Sequence, residues 1–325
     1  MRKPLALCWM LTMLSCGDVP PGERIEAKSD AVAGTEDSAN RFSGVLGVLA
    51  RKGDLVARCT GALVAPDLML TARHCVALDD GAAVVCGEPS LGASVGPEDV
   101  LVTALPATSD VASDYVQALE IIVAPGGDDT CGFDFAAVRL AQPPPGAEVV
   151  YAPRLDESAA DGETFTAVGY GSTGSGGVGV RRYRENSLVV CAATSCTLPE
   201  VQTSEWLAED GAFCSADSGS AAIDAEGRLI GTVSRGQNPC SSPILAAMPA
   251  WKDWLVEVAT QAAAAGSYPL PDWASAQPAP GAEPEPEAQR LKSTCAFSAS
   301  PASSPDIVSL CALVLLLWRR ARVEC

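Results

Sequence analysis

The residue types able to do chemistry are few and lie far apart along the chain. Ser218 stands in Cys214-Ser215-Ala216-Asp217-Ser218-Gly219-Ser220-Ala221, a turn made almost entirely of small residues. A serine hydroxyl attacks a carbonyl only when a base takes its proton and oriented N–H groups receive the oxyanion, and small neighbours leave room for both. The base must come from elsewhere. The one histidine of the 325-residue chain is His74, in Leu70-Thr71-Ala72-Arg73-His74-Cys75. A third group has to orient the imidazole, and Asp134, directly ahead of the apolar run Phe135-Ala136-Ala137-Val138, is an acid at a strand start. Alone, Asp-Ser-Gly is an ordinary turn and a single histidine an ordinary structural residue; together the three residues point to acyl transfer.

The order His, Asp, Ser, with Cys75 directly after His74, Ser218 four residues after Cys214 and Gly169-Tyr170-Gly171 between, resembles the trypsin/chymotrypsin-like serine endopeptidases over residues 31 to about 260. The resemblance implies an all-β fold of two six-stranded antiparallel barrels with a carboxy-terminal helix. It implies Ser218 as nucleophile, His74 as general base, Asp134 as its orienting acid, and the N–H groups of Ala216 and Ser218 as the oxyanion hole. Ser234-Arg235-Gly236 falls where the family pairs with substrate backbone. Ala212 falls at the pocket base, with Gly236 and Ile244 on its walls, and none of the three is charged, so cleavage after small or medium apolar residues is expected. Ala31 would supply the amino group that pairs with Asp217 after a cut at Asp30-Ala31 by an activating protease the sequence does not name. Protein or peptide substrates are the implied partners, and no cofactor or metal is called for.

Several positions depart from the family pattern. Ala216 replaces a glycine in the oxyanion turn, Gly219-Ser220-Ala221 replaces Gly-Gly-Pro, Arg73 replaces an alanine, and Ala31 replaces a larger apolar residue. A Cβ at a position that needs positive φ costs about 1–2 kcal/mol, so a protease-like binding module with impaired turnover is the competing expectation.

The rest of the chain must position these groups. It has 29 Gly, 24 Pro and many short Val/Leu/Ile/Thr-rich runs, which read as strands near 45–50, 55–58, 61–64, 68–71, 100–104, 121–124, 165–169, 187–190, 221–224 and 229–234. Pro143-Pro144-Pro145-Gly146 is the expected crossover between barrels, and Trp251-Lys252-Asp253-Trp254-Leu255 opens the helix. Thirteen cysteines argue for an oxidising compartment. The resemblance pairs Cys59 with Cys75 and Cys214 with Cys240; Cys86 with Cys131 and Cys191 with Cys196 is the assignment by elimination. A zinc site is disfavoured, since only one histidine and no doubled C-x-x-C exist. Lys and Arg number 22 against 40 Asp and Glu, a net charge of −18 that disfavours nucleic acid.

Both ends lie outside the resemblance. Residues 1–16 have the basic start, apolar run and small-residue ending of a secretory signal, and Met13-Leu14-Ser15-Cys16 resembles a lipobox in which Cys16 is lipidated. Residues 17–30 read as a leader or propeptide, 31–265 as the protease-like domain, and 266–294 as a Pro/Ala/Glu-rich spacer. Residues 295–325 carry Cys295, the apolar run from Ile307 to Trp318 and a basic stop. This tail resembles the myxobacterial carboxy-terminal sorting signal. The expectation is an exported protein of a Gram-negative surface, touching membrane only through its anchors.

Overall fold

The computed structural model describes residues 34–78, 84–172, 177–192, 195–237 and 240–275. Cys16, Ala31 and the carboxy-terminal tail therefore lie outside the described residues. The first barrel contains β2 (Val45–Lys52), β3 (Leu55–Ala65), β4 (Leu68–Thr71), β5 (Val100–Thr103), β6 (Val116–Val123) and β7 (Ala136–Leu140), closed in the order β2-β3-β4-β7-β6-β5. The second contains β8 (Thr164–Gly169), β9 (Arg182–Ala192), β10 (Glu205–Ala208), β11 (Ala221–Ile223), β12 (Leu229–Gln237) and β13 (Ser241–Ala247). It closes through the β8–β9 pairing, and β1 (Thr35–Glu36) is added to the outside of β9. All pairings between these strands are antiparallel, as expected from the sequence. The crossover from β7 to β8 carries the Pro143–Gly146 stretch.

The period-two alternation of strands decides what fills each barrel. Leu46, Val48 and Ala50 of β2 point into the first barrel with Leu63, Met69 and Val138. The opposite face, Val45 with Val64, Leu68 and Leu70, packs across the seam against Phe135, Tyr170 and the carboxy-terminal helix. The second barrel is filled by Phe165, Val189, Trp206, Phe213, Ile230 and Leu245. The stretches 55–58 and 61–64 prove to be one eleven-residue strand. Neither β10 nor β13 was expected from the sequence.

The helix Lys252–Gly266 buries Leu255, Val258, Ala259 and Ala262, one face at helical spacing. Trp251 and Trp254 stack around Phe135 with ring centroids 5.9 and 5.5 Å away, so the helix braces the residue next to Asp134. The packed fold continues past the boundary expected at residue 265. Tyr268 donates its hydroxyl to Asp67 Oδ1 at 2.5 Å, and Trp273 Nε1 donates to the Val64 carbonyl at 2.8 Å. Among the described residues no helix is long and apolar enough to cross a membrane.

A fully buried ion pair fastens the amino-terminal segment to the second barrel: Arg181 Nε lies 2.8 Å from Asp37 Oδ2, and neither side chain has any exposure. Asp37 also accepts from the Arg41 and Phe42 amides at 2.8 and 2.9 Å. Arg181 donates through Nη1 to the carbonyls of Val45 and Ala104 and to the Tyr170 hydroxyl. Removing one partner leaves a buried charge alone, at a cost of about 3–5 kcal/mol. Asp37→Ala is therefore expected to lower the melting temperature by roughly 10 °C, measured by thermal unfolding followed by circular dichroism; a loss of under about 3 °C would place the fastening elsewhere.

Candidate active site

His74 sits in a single 3-10 turn, Arg73–Cys75, directly after β4. Cys75 is tied back to Cys59 in β3 by a disulfide, so the imidazole projects from a short link fixed at both ends. Its Nδ1 is 2.7 Å from Asp134 Oδ2, and its backbone N–H donates to Asp134 Oδ1 at 2.8 Å. The Ser234 hydroxyl, from β12 of the other barrel, donates to Asp134 Oδ2 at 2.7 Å. Asp134 has no exposed side-chain surface. Burial alone would raise its carboxyl, but the charge and hydrogen bonds of His74, with the Ser234 hydroxyl, outweigh it and hold the group below its usual range. A carboxylate ionised under the imidazole selects the tautomer that carries its N–H on Nδ1 and its lone pair on Nε2.

Ser218 is held by both barrels. Its carbonyl accepts from Thr60 N–H in β3 at 2.8 Å, and the following Gly219 N–H donates to Val233 in β12 at 2.7 Å. Ser218 and His74 line one cleft of about 240 Å³ with Phe213, Ser215, Ala216, Val233, Gly236 and Pro243. Ala216 has φ of +66°, the left-handed conformation that a residue carrying Cβ adopts at a cost. Among the described residues, the amides of Ala216 and Ser218 donate to no backbone carbonyl.

Asp217, between them, is completely buried. Its Oδ1 accepts from Gly171 N–H at 2.9 Å and from the Ser220 hydroxyl at 3.2 Å, and its Oδ2 from Cys214 N–H at 2.9 Å. The Gly169-Tyr170-Gly171 motif exists for this approach. A Cβ on Gly171 would lie 2.4 Å from the Asp217 carboxyl, and one on Gly169 would lie 2.1 Å from the Ser220 hydroxyl.

The expected substrate residues separate. Ser234 and Gly236 border the cleft, but Ala212 and Ile244 do not line it. Ala212 is buried in the core of the second barrel, and the next residue, Phe213, reaches the cleft instead. Ile244 packs with Val201 and Leu207. The pairing of β12 with β13 shifts register twice, after Val233 and after Arg235, and a one-residue shift exchanges the faces of a strand. Pro243 takes the place assigned to Ile244. The wall remains apolar, now through Phe213, Val233 and Pro243.

Arg73 turns away from the imidazole. Its guanidinium is buried and donates to the Gly127 carbonyl and to Asp128 Oδ1, both at 2.7 Å. The four disulfides pair as expected, including Cys86–Cys131 and Cys191–Cys196. Cys59, His74 and Cys75 come within metal-ligand reach of one another, but both sulfurs are in the disulfide and neither is a thiolate. Sequence reasoning missed the pairs Arg73–Asp128, Asp37–Arg181 and Glu205–Arg235. No motif marks them; each joins residues 30 or more positions apart.

Residues 31–255 match the family Trypsin. This chain belongs to the trypsin family. It is similar to human chymotrypsin-like elastase family member 3A, at 33% identity over 95 residues, which is 28% of this chain and 30% of the elastase. The chain thus matches under a third of the length of that relative. Two solved structures share the fold: the scabies mite inactivated protease paralogues S-I1 and S-D1, at 14% and 16% identity and TM-scores of 0.52 and 0.56. Each match covers 70% of this chain, with 99% and 96% of the respective mite protein.

Burial pushes the Asp217 carboxyl up to about 6, against the amides of Cys214 and Gly171 and the Ser220 hydroxyl. The folded value lies above the unfolded one of about 3.9, so the folded state keeps the proton longer, and stability falls as pH rises from about 4 to about 6 before levelling off. The slope is at most about 1.4 kcal/mol per pH unit. The melting temperature of wild type relative to Asp217→Asn, whose amide does not titrate, is expected to fall as pH rises across this range. A constant difference from pH 4 to pH 7 would show that Asp217 does not titrate there.

Proposed function

We propose that this trypsin-family chain is an exported serine endopeptidase. Ser218 attacks the peptide carbonyl, His74 Nε2 takes the hydroxyl proton and returns it to the leaving amine, and Asp134 holds the imidazole in place. The oxyanion is received by the amides of Ala216 and Ser218. The observation that carries this reading is the 2.7 Å bond from His74 Nδ1 to a buried, ionised Asp134, with His74 and Ser218 facing the same cleft. The apolar wall of Phe213, Val233 and Pro243, with no carboxylate among the described residues that line the cleft, favours Ala, Val or Leu before the scissile bond over Arg or Lys. We assign Asp217 as the acceptor of the amino group freed near Ala31, and Cys16 and the tail from Cys295 as surface attachments.

A second reading has an observation of its own. Ala216 is held at φ +66°, and a turn that relaxes from this strain loses an oxyanion donor, worth about 10²–10³ in rate. Two of the solved structures with the same fold are titled inactivated protease paralogues. On this reading the protein is a surface binding module.

Fluorophosphonate labelling separates the two. The protease reading expects Ser218 to be labelled, His74→Ala and Ser218→Ala to abolish labelling, Asp134→Asn to slow it by about 10⁴, and peptide-library cleavage after small apolar residues. Equal labelling of wild type and Ser218→Ala removes Ser218 from the mechanism. Wild type that is inert while Ala216→Gly is labelled favours the binding module.

A further inference from the structure

The segment leading into Asp134 is gripped from the other barrel by a pair of charges that the proposed chemistry does not use. Glu205, the first residue of β10, is 2% exposed, and its Oε1 and Oε2 face the Arg235 guanidinium at 2.5 and 2.8 Å. The same carboxylate accepts from Gly132 N–H through Oε1 at 2.8 Å and from Gln202 N–H through Oε2 at 2.9 Å. Ser204, next to it, donates its hydroxyl to the Gly132 carbonyl at 3.0 Å. Both backbone groups of Gly132, two residues ahead of Asp134, are therefore held by the Ser204-Glu205 corner.

Arg235 completes the link. It lies in β12 on the cleft wall, between Ser234 and Gly236. Its Nη1 donates to the Thr130 carbonyl and lies within reach of Ser234 Oγ, both at 3.3 Å. Ser234 is the residue whose hydroxyl donates to Asp134 Oδ2. One forked ion pair thus ties together the segment before Asp134, the start of β10 and the cleft strand. Since the carboxylate occupies both arms of the fork, Arg235 presents no uncompensated charge to the cleft. Among the described residues, Arg73, already paired with Asp128, and Asp217, in the Ser218 turn, are further charged groups on the segments that carry His74 and Ser218.

We propose that Glu205 and Arg235 are positioning residues: the pair fixes Asp134 and Ser234 across the seam and keeps the field at His74 neutral from that side. This rests on the reading of Asp134 and His74 as the proton-handling pair. A bond that places the orienting acid sets the geometry of the base, and a displacement of about 1 Å costs about 10² in rate.

Because His74 is the only histidine, ¹⁵N-histidine NMR reads its titration in full-length protein whether or not the protein turns over substrate. Glu205→Gln leaves the Arg235 cation uncompensated and is expected to lower the His74 midpoint by about half a pH unit, less than the 1–3 of a direct contact because Ser234 intervenes. Arg235→Met leaves the Glu205 anion and is expected to raise the midpoint by a similar amount. The double variant is expected to return it to the wild-type value. Folded single variants with an unmoved midpoint overturn the proposal, as does a double variant whose midpoint stays displaced.

Should Glu205→Gln fail to fold, Arg235→Lys keeps the cation but loses the fork. It is then expected to titrate as wild type while Ser218 labels at least about tenfold more slowly; an unchanged labelling rate overturns the proposal. Wild-type protein that never labels, with midpoints moving as stated, sinks the protease reading and supports the clamp.

Discussion

A carboxylate enclosed by protein survives as an anion only if donors surround it, and at Asp134 those donors come from two barrels. His74 offers a ring N–H and a backbone N–H from the first, and Ser234 a hydroxyl from the second. This shared acceptor makes the seam between the barrels a defined joint. Asp134 cannot move without breaking bonds on both sides, and neither barrel can slide without leaving a buried charge short of a partner. The surrounding contacts serve the same joint. Trp251 and Trp254 wedge Phe135, Thr60 holds the Ser218 carbonyl, and Val233 receives the amide that follows it.

The cleft inherits its chemistry from this joint and its shape from local irregularities. Two regular antiparallel strands would alternate their side chains predictably, but the β12–β13 pairing slips at Val233 and again at Arg235. Around these slips Ser234 turns to Asp134 and Arg235 to Glu205, and Pro243, with Phe213 from the segment before the Ser218 turn, forms the wall.

These irregularities also set how much was legible beforehand. His74, Asp134 and Ser218 could be read because a serine nucleophile requires a base and an orienting acid, and the chain has one histidine to offer. The all-β class followed from many short β-branched runs, the two barrels and the pairs Cys59–Cys75 and Cys214–Cys240 from the family resemblance, and the other two cysteine pairs by elimination. Ile244 was placed by counting from Cys240, which fails where the β12–β13 pairing shifts register, and Ala212 by its offset from Cys214, which cannot show that its neighbour Phe213 is the residue at the cleft. β10 begins with a glutamate and β13 contains a proline, so neither has a strand-like composition; closure of the barrel, not propensity, makes them strands. The pairs Asp37–Arg181 and Glu205–Arg235 gave no sign, because an ion pair between distant residues has no spacing to recognise.

The two ends of the described domain are exchanged. The described residues begin on the outside of the second barrel, as β1 beside β9 with Asp37 locked to Arg181, before they build the first. After finishing the second barrel the chain returns to the first, where Trp273 bonds Val64 across 209 residues of sequence. Each barrel is thus closed over by a terminus that the other barrel owns. Such a domain has few local routes to its native contacts, since its last described segment completes the barrel that is built first. Folding is expected to be slow for its length, as it is for other folds built on distant pairings. Once formed, the two barrels share one fate: unravelling either end uncovers the neighbour's core, so loss of structure spreads across the seam instead of stopping at it.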